Sequence, residues 1–226
     1  MRRIFSLRRI VLMCLIVFGL PLALTVAYAV INPPSTLMMV RFVTGQTVNS
    51  NWRPLSDTSQ NLKRAVIMSE DGRFCEHNGV DWGALERQIA VLDEGERPRG
   101  ASTITMQLSK NLFLWHGRSY VRKAFELPLA LWLDVILGKP RTFEIYLNVA
   151  EWGDGLFGAD AAAQHYFGKS AKSLTERQAA LLAAALPNPF LRNPAKPSRT
   201  MTRHAEIIQR RMRGSDAYLQ CLQVSN

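Results

Sequence analysis

Metal-binding and disulfide-rich architectures are the first to be excluded by this sequence. It has three cysteines and four histidines in 226 residues, and no Cys/His spacing resembles a zinc site. Cys14 falls in an apolar run, leaving Cys75 and Cys221 far apart. One disulfide between them is open to the chain, but a disulfide framework is not. Internal repeats and low-complexity tracts are absent, which argues against a solenoid and for an ordinary packed domain. Acidic residues are scarce as well: 18 Asp and Glu stand against 28 Lys and Arg, a net charge of +10. Nucleic acid is the usual partner of such a balance, so where the domain resides decides whether that partner is available.

Long uncharged runs are also rare, and the one present is informative. Residues 10–31, "IVLMCLIVFGLPLALTVAYAVI", carry no charge. At 1.5 Å rise per residue these twenty-two residues reach roughly 33 Å as a helix, enough to cross a bilayer core. Pro21 is tolerated in a membrane helix where it would break a soluble one. Arg2, Arg3, Arg8 and Arg9 precede the run as a basic tail over residues 1–9, and the positive-inside rule keeps them in the cytoplasm. The competing reading is a cleaved signal peptide ending at "AYA", residues 27–29. The run is longer than a signal peptide's apolar region, which favours a retained anchor. The expected location is therefore a single-pass inner-membrane protein with its domain in the periplasm, where no nucleic acid is met. Anionic headgroups and phosphate-bearing substrates then become the natural partners of the surplus charge, part of which lies in "PSRTMTRHAEIIQRRMRG" near the C-terminus.

Residues 32–56 mix β-branched and turn residues and read as a linker with at most a short strand. From 57 to 226 the pattern is helical, a single mainly α domain. "DTSQNLKRAVIMSE" puts Leu62, Ala65, Val66 and Ser69 on one face behind an Asp or Thr cap. A second helix starts at an Asp81 cap with Leu85, Ile89 and Leu92 on one side, and "STITMQLSKNLFL" starts at Ser102. "EGERPRGAS" between them reads as a mobile loop. "SYVRKAFELPLALWLDVIL" is a longer apolar helix that Pro128 can kink, with "RTFEIYLNVA" and "GADAAAQHYFG" as short helices after it. "LTERQAALLAAAL" opens with Thr175 and Gln178 in capping-box spacing. A last helix is expected near 198–213.

Four stretches carry residues able to do chemistry. "SEDGRFCEHNGVDW" offers Glu70 at a helix end, where a carboxylate is either a solvated group or a held base. Asp71 cannot share its face; His77 orients a neighbour or satisfies backbone, and Asp81 is most simply an N-cap. "RGASTITMQLSKN" surrounds a helix start with Ser102, Thr103 and Thr105, a place that favours an anion, and sets Lys110 two turns along. "RSYVRKAFE" spaces Arg122 and Glu126 at i, i+4, with Lys123 at i, i+3 from the same glutamate. These are either surface pairs worth ~0.2–0.5 kcal/mol each or a site of two cations and a carboxylate. "KPRTFEIYLN" and the Gly-, Ala- and aromatic-rich run after it read as packing, Lys139 excepted.

Taken in order, "EDGRFCEHNGVD", "GASTITMQLSKN", "RKAFE", "KPRTFEIYLN" and "AAAQHYFGKSAKSLTERQAALLAAALPNP" resemble the five motifs of the family 51 glycosyltransferases. The resemblance spans roughly residues 50–213, and a single N-terminal span with no second domain is similar to the monofunctional biosynthetic peptidoglycan transglycosylases. It implies a mainly α, lysozyme-like fold with a small membrane-facing jaw, polymerising lipid II into glycan strands. By the same resemblance Glu70 is the catalytic base and Glu126 the second catalytic glutamate. Lys110, Arg122 and Lys123 contact donor pyrophosphate or sugar, Ser102, Thr103 and Gln107 line the cleft, and Lys139 joins the substrate-binding set. Met106 stands where the family commonly has glutamine, and Thr142-Phe143 where Ile-Leu is usual. Implied partners are lipid II, the nascent strand, inner-membrane lipid and other cell-wall synthesis or division proteins. No cofactor is required; a divalent cation (Mg or Mn) is compatible with the family, yet no ligand spacing here demands one.

The residue types fit that chemistry independently. A sugar on a pyrophosphate already has a good leaving group, whose developing charge needs cations and not a general acid. The attacking sugar hydroxyl needs a base. A glycoside hydrolase would instead want a protonated acid, usually with a second carboxylate. A lytic transglycosylase or muramidase on a similar fold is the first alternative, disfavoured by the Lys/Arg set around Glu126. A membrane-anchored scaffold without activity is the second, disfavoured by the intact glutamate pair.

Overall fold

The computed structural model describes residues 8, 9, 12, 16, 19–93, 100, 102–115, 117 and 119–222. Expectations for Arg2, Arg3 and Cys14, for residues 10, 11, 13–15, 17 and 18 of the apolar run, and for most of the 94–102 loop lie outside the described residues. Among the described residues no helix is long and apolar enough to cross a membrane.

The chain is mainly helical, as expected. Helices α1 (Leu20–Tyr28) and α2 (Thr36–Val43) precede a two-residue strand β1 (Asn49–Ser50). Then come α3 (Gln60–Glu70), α4 (Trp82–Asp93), α5 (Ile104–Phe113) and the long α6 (Tyr120–Val149). Strands β2 (Glu151–Gly153) and β3 (Leu156–Phe157) follow, and α7 (Ala159–Phe167), α8 (Glu176–Ala185) and α9 (Arg199–Met212) complete the domain with a 3-10 segment at Ser215–Leu222. The small sheet has the order β1-β3-β2, with β1 parallel and β2 antiparallel to β3.

The core forms around α8. Its alanines 179, 180 and 183–185 are fully buried, and such small side chains let α3 and α9 pack closely on either side. Leu62, Ala65, Val66 and Ile67 of α3 are buried there, together with Met201, Ala205 and Ile208 of α9. Local chemistry starts these helices. Thr175 and Gln178 close the expected capping box, and Ser198 caps α9. At α3 the cap is Ser59, not the Asp or Thr expected, because Ser59 Oγ accepts from Leu62 N. At α5 it is Thr103, one residue beyond the expected Ser102.

Three further differences have physical reasons. The stretch expected as a linker over 32–56 holds α2 and β1 and is bonded to the domain. Thr36 Oγ1 donates to the carbonyls of Asn111 (3.1 Å) and Leu114 (3.0 Å), and Arg41 reaches Glu151 (2.9 Å) and Asp154 (2.7 Å). Pro128 lies within α6 without a non-helical residue beside it; Pro128 and Ala124 are both exposed, so the carbonyl it leaves unpaired faces water. The break comes at Gly138 (φ 65°, ψ 171°), two residues before Pro140, in a conformation that glycine adopts without strain. Helix α4 leaves Trp82 and Ile89 about half exposed (51% each), so Ile89 is not buried as expected, while Leu85 is partly buried.

Two features, one of packing and one covalent, bring the site together. Gly79 (φ 81°) lies against α6 so tightly that a Cβ there would stand 2.5 Å from the Ala130 carbonyl oxygen. Cys75 and Cys221 form a disulfide, with Cα atoms 5.5 Å apart across a sequence separation of 146 residues. It ties the 3-10 segment to the loop that follows Glu70. Closing so long a loop removes much unfolded-chain entropy. Reduction, or Cys75→Ser, is therefore expected to lower stability by about 2–4 kcal/mol, read as a drop in midpoint in denaturant titrations with and without reductant.

Candidate active site

Glu70 is the last residue of α3, where the helix stops and the carboxylate turns into a cavity of about 690 Å³. Ser102 and Thr103 line the same cavity. Glu70 Oε2 accepts from the Gln107 side-chain amide (3.1 Å) and Oε1 accepts from Ser69 Oγ (3.2 Å). The Gln107 amide oxygen in turn accepts from the hydroxyl of fully buried Tyr146 (3.0 Å). Burial raises the Glu70 carboxyl above its ordinary range; the bonds from Gln107 and Ser69 oppose this, neighbouring Asp71 adds to it, and the field of Arg192 opposes it. Raising by desolvation and steadying by hydrogen bonds is how a carboxylate is kept basic and aimed.

Asp71, one residue on, is buried and holds the frame. Its Oδ2 accepts from Ile104 N (2.9 Å) at the start of α5, and its Oδ1 meets His77 Nε2 at 2.9 Å. Thr103 Oγ1 donates to the Gly79 carbonyl (2.6 Å) and accepts from Met106 N (3.1 Å). These bonds fasten the loop after α3 to the first turn of α5, which sets the distance from Glu70 to Gln107. Asp81 caps α4 as expected, accepting from Ala84 N at 2.9 Å.

The cationic half of the site is built on α5 and α6. Glu126 is buried (3% exposed), and Lys123 Nζ contacts its Oε2 at 2.8 Å while Arg122 pairs with Oε1. Lys123 also donates to Ser102 Oγ (2.7 Å). The pairing read from the spacing is thus not a surface pair, because its carboxylate is withdrawn from water. Burial, with Arg122 and then Lys110 nearby, pulls the Lys123 ammonium down to about 8. Lys110 is lowered by burial and by Arg122, and the negative field of Glu70 works against that. Lys110 therefore lies within the fields of both Glu70 and Arg122 and has no salt-bridge partner among the described residues.

Of the residues expected in the site, Glu70, Ser102, Thr103, Gln107, Lys110, Arg122, Lys123 and Glu126 come together. Lys139 does not join them. Asp134 holds it at 2.7 Å, the His77 carbonyl accepts from it, and it lies over the Phe74 ring at 4.6 Å, so its charge is spent bracing the loop. Arg192 is the residue that sequence reasoning missed. It lies in "PNPFLRNP", is anchored on the Ala184 carbonyl (2.6 Å), and its field reaches Glu70. It lies three residues beyond the motif that ends at Pro189, with no acidic residue near it in sequence to mark it.

A divalent ion finds a poor donor set here. Both Glu126 oxygens are engaged by cations, and among the described residues no group of three His, Cys, Asp or Glu side chains is placed to hold one.

Glu70 lines one cavity with Ser102 and Thr103, and Lys110 lines a second, of about 190 Å³, with Gln107, whose amide bonds Glu70; the comparisons with known proteins name the family. The Transglycosylase family profile matches residues 37–213. The biosynthetic peptidoglycan transglycosylase of Brucella suis biovar 1 (strain 1330) is 52% identical over 205 residues, covering 90% of this chain and 92% of that one. Its namesake from Agrobacterium fabrum (strain C58) is 50% identical over 217 residues, covering 95% and 96%. That from Rhizobium meliloti (strain 1021) is 50% identical over 217 residues, covering 95% and 92%. With the profile spanning most of the domain and relatives this similar over more than nine-tenths of their length, the chain belongs to the biosynthetic peptidoglycan transglycosylase family and is a glycosyltransferase.

Proposed function

We propose that the enzyme polymerises lipid II into glycan strands for the cell wall. Glu70 takes the proton of the acceptor GlcNAc 4-hydroxyl as that oxygen attacks C1 of the donor MurNAc. The C1–O bond to the pyrophosphate breaks on the opposite face, which inverts the anomeric centre and releases undecaprenyl pyrophosphate. Lys110, Arg122 and Lys123 hold the pyrophosphate and offset its growing charge, with Glu126 fixing the latter two. The observation that carries this reading is Lys110, partly buried and within the fields of hydrogen-bonded Glu70 and of Arg122, which pairs with Glu126. Residues 10–31 serve as a membrane anchor, with residues 1–9 cytoplasmic and the domain in the periplasm.

The test is incubation of the purified protein with labelled lipid II. Long glycan products support the reading; release of muropeptides from isolated sacculi, with no polymer from lipid II, overturns it. N-terminal sequencing of the mature protein tests the anchor, and a sequence beginning at Val30 overturns it.

The pH profile of kcat/KM follows from the two shifted groups. Glu70 must be ionised to act, and its carboxyl is raised, so activity climbs on the acid side above the ordinary carboxylate range. Lys123 must be protonated, so activity falls as pH rises through about 8. Initial rates on lipid II from acid to alkaline buffer check this. An alkaline limb that stays flat past the ordinary lysine range removes Lys123 from the reaction.

A further inference from the structure

Beyond the cationic set on α5 and α6, the cavity that holds Glu70 has a second basic wall, and the reaction as read so far does not use it. Arg210, Arg211 and Arg213, at the end of α9 and in the turn after it, line the cavity. Arg210 and Arg213 have no carboxylate partner among the described residues, and the bond given by Arg211 is a long one to the Met68 carbonyl (3.5 Å). Besides Glu70, the carboxylates lining the same cavity are engaged elsewhere. Asp71 holds His77 and the α5 start, and Asp81 caps α4 and faces Arg73 at 3.5 Å. The wall is also fixed in place. The Cys75–Cys221 bond and the Arg64–Asp216 pair pin the segment behind it to the loop after Glu70 and to α3.

The two basic sets differ in what surrounds them. Arg122 and Lys123 follow Tyr120 and Val121, which are 90% and 63% exposed, so they adjoin apolar surface where a lipid-linked pyrophosphate arrives. The residues beyond Arg213 expose one aromatic, Tyr218 (42%), which lines the same cavity, among the small or polar Gly214, Asp216, Ala217 and Gln220, so this wall adjoins less apolar surface than Arg122 and Lys123 do. An anion at this wall is therefore one that the sugar carries away from the lipid. A peptidoglycan precursor bears such anions as the carboxylates of its peptide, and guanidinium forks match carboxylates in geometry.

We propose that Arg210, Arg211 and Arg213 form a subsite for the peptide carboxylates of the saccharide substrate, which orients the sugar against Glu70. The proposal rests on the polymerase reading for its biological setting, but its test needs no turnover. The probe is a soluble N-acetylmuramyl pentapeptide, with neither lipid nor pyrophosphate, titrated into the full-length protein beside the same compound with its carboxylates amidated. Wild type is expected to prefer the carboxylate form by about 10- to 150-fold, the range of a charge-assisted contact. The triple variant Arg210→Gln, Arg211→Gln, Arg213→Gln is expected to lose that preference. Arg213→Gln alone, an exposed position outside α9, serves if the triple variant melts early, and is expected to lose part of it. No preference in wild type, or an unchanged preference in the variants, overturns the subsite. So does a titration with inorganic pyrophosphate in which the variants lose pyrophosphate binding and keep peptide binding. Failure to polymerise lipid II would overturn the polymerase reading while leaving this preference measurable.

Discussion

Glu70→Gln is expected to lower turnover on lipid II by roughly 10²–10⁴-fold, the contribution of a positioned general base, with the melting temperature unchanged. The substitution keeps the shape and leaves an oxygen to accept from the Gln107 amide, so the network that orients the side chain survives. What it removes is the ability to take a proton. Stability has no reason to fall, because a raised carboxyl pKa means that burial already disfavours the charge. The measurement pairs steady-state rates with thermal melts. A variant keeping more than about a tenth of wild-type turnover would place the base elsewhere.

Lys110, Arg122 and Lys123 give the second large effect, and it separates transferase from hydrolase. A charge-assisted contact to phosphate is worth about 1.5–3 kcal/mol, so each Ala substitution is expected to lower kcat/KM by about 10- to 150-fold. Lys110 is the cleanest of the three, since no carboxylate among the described residues depends on it. Arg122 and Lys123 both hold buried Glu126, so their loss strips a partner from a buried carboxylate and adds a fall in melting temperature. Lys110→Ala is expected to affect activity alone; the other two affect activity and stability together. Kinetics and melts on the three single variants check the pattern. Wild-type kinetics in all three would move the pyrophosphate site to another part of the chain.

Much of this was legible because it is local. Capping bonds span three residues, and so the starts of α8 and α9 follow from Thr175, Gln178 and Ser198. The Arg122–Glu126 and Lys123–Glu126 pairs follow from helical spacing, although spacing alone could not say that Glu126 is buried. Contacts made across the chain were not legible. Cys75 and Cys221 are 146 residues apart, a distance at which sequence separation carries no geometry. Arg192 reaches Glu70 only because α8 folds against α3. The α2 segment looked like a linker because its polar anchors, Thr36 and Arg41, find partners more than 70 residues away. Lys139 misled for the opposite reason: a lone lysine in a motif looks available until Asp134 and Phe74 are seen beside it.

The run of hydrogen bonds from Tyr146 through Gln107 to Glu70 has a direction. The phenol donates to the amide oxygen, which turns the amide nitrogen toward Glu70 Oε2. An amide N–H cannot accept, so Oε2 has no room for an acidic hydrogen along that line. Oε1 lies beside the Ser69 hydroxyl, which can swing from donor to acceptor, so a proton on that oxygen finds a partner that the amide cannot supply. The two carboxylate oxygens are thereby made unequal. One faces a donor that cannot reverse, and the other a hydroxyl that can accept a hydrogen bond when the carboxyl is protonated.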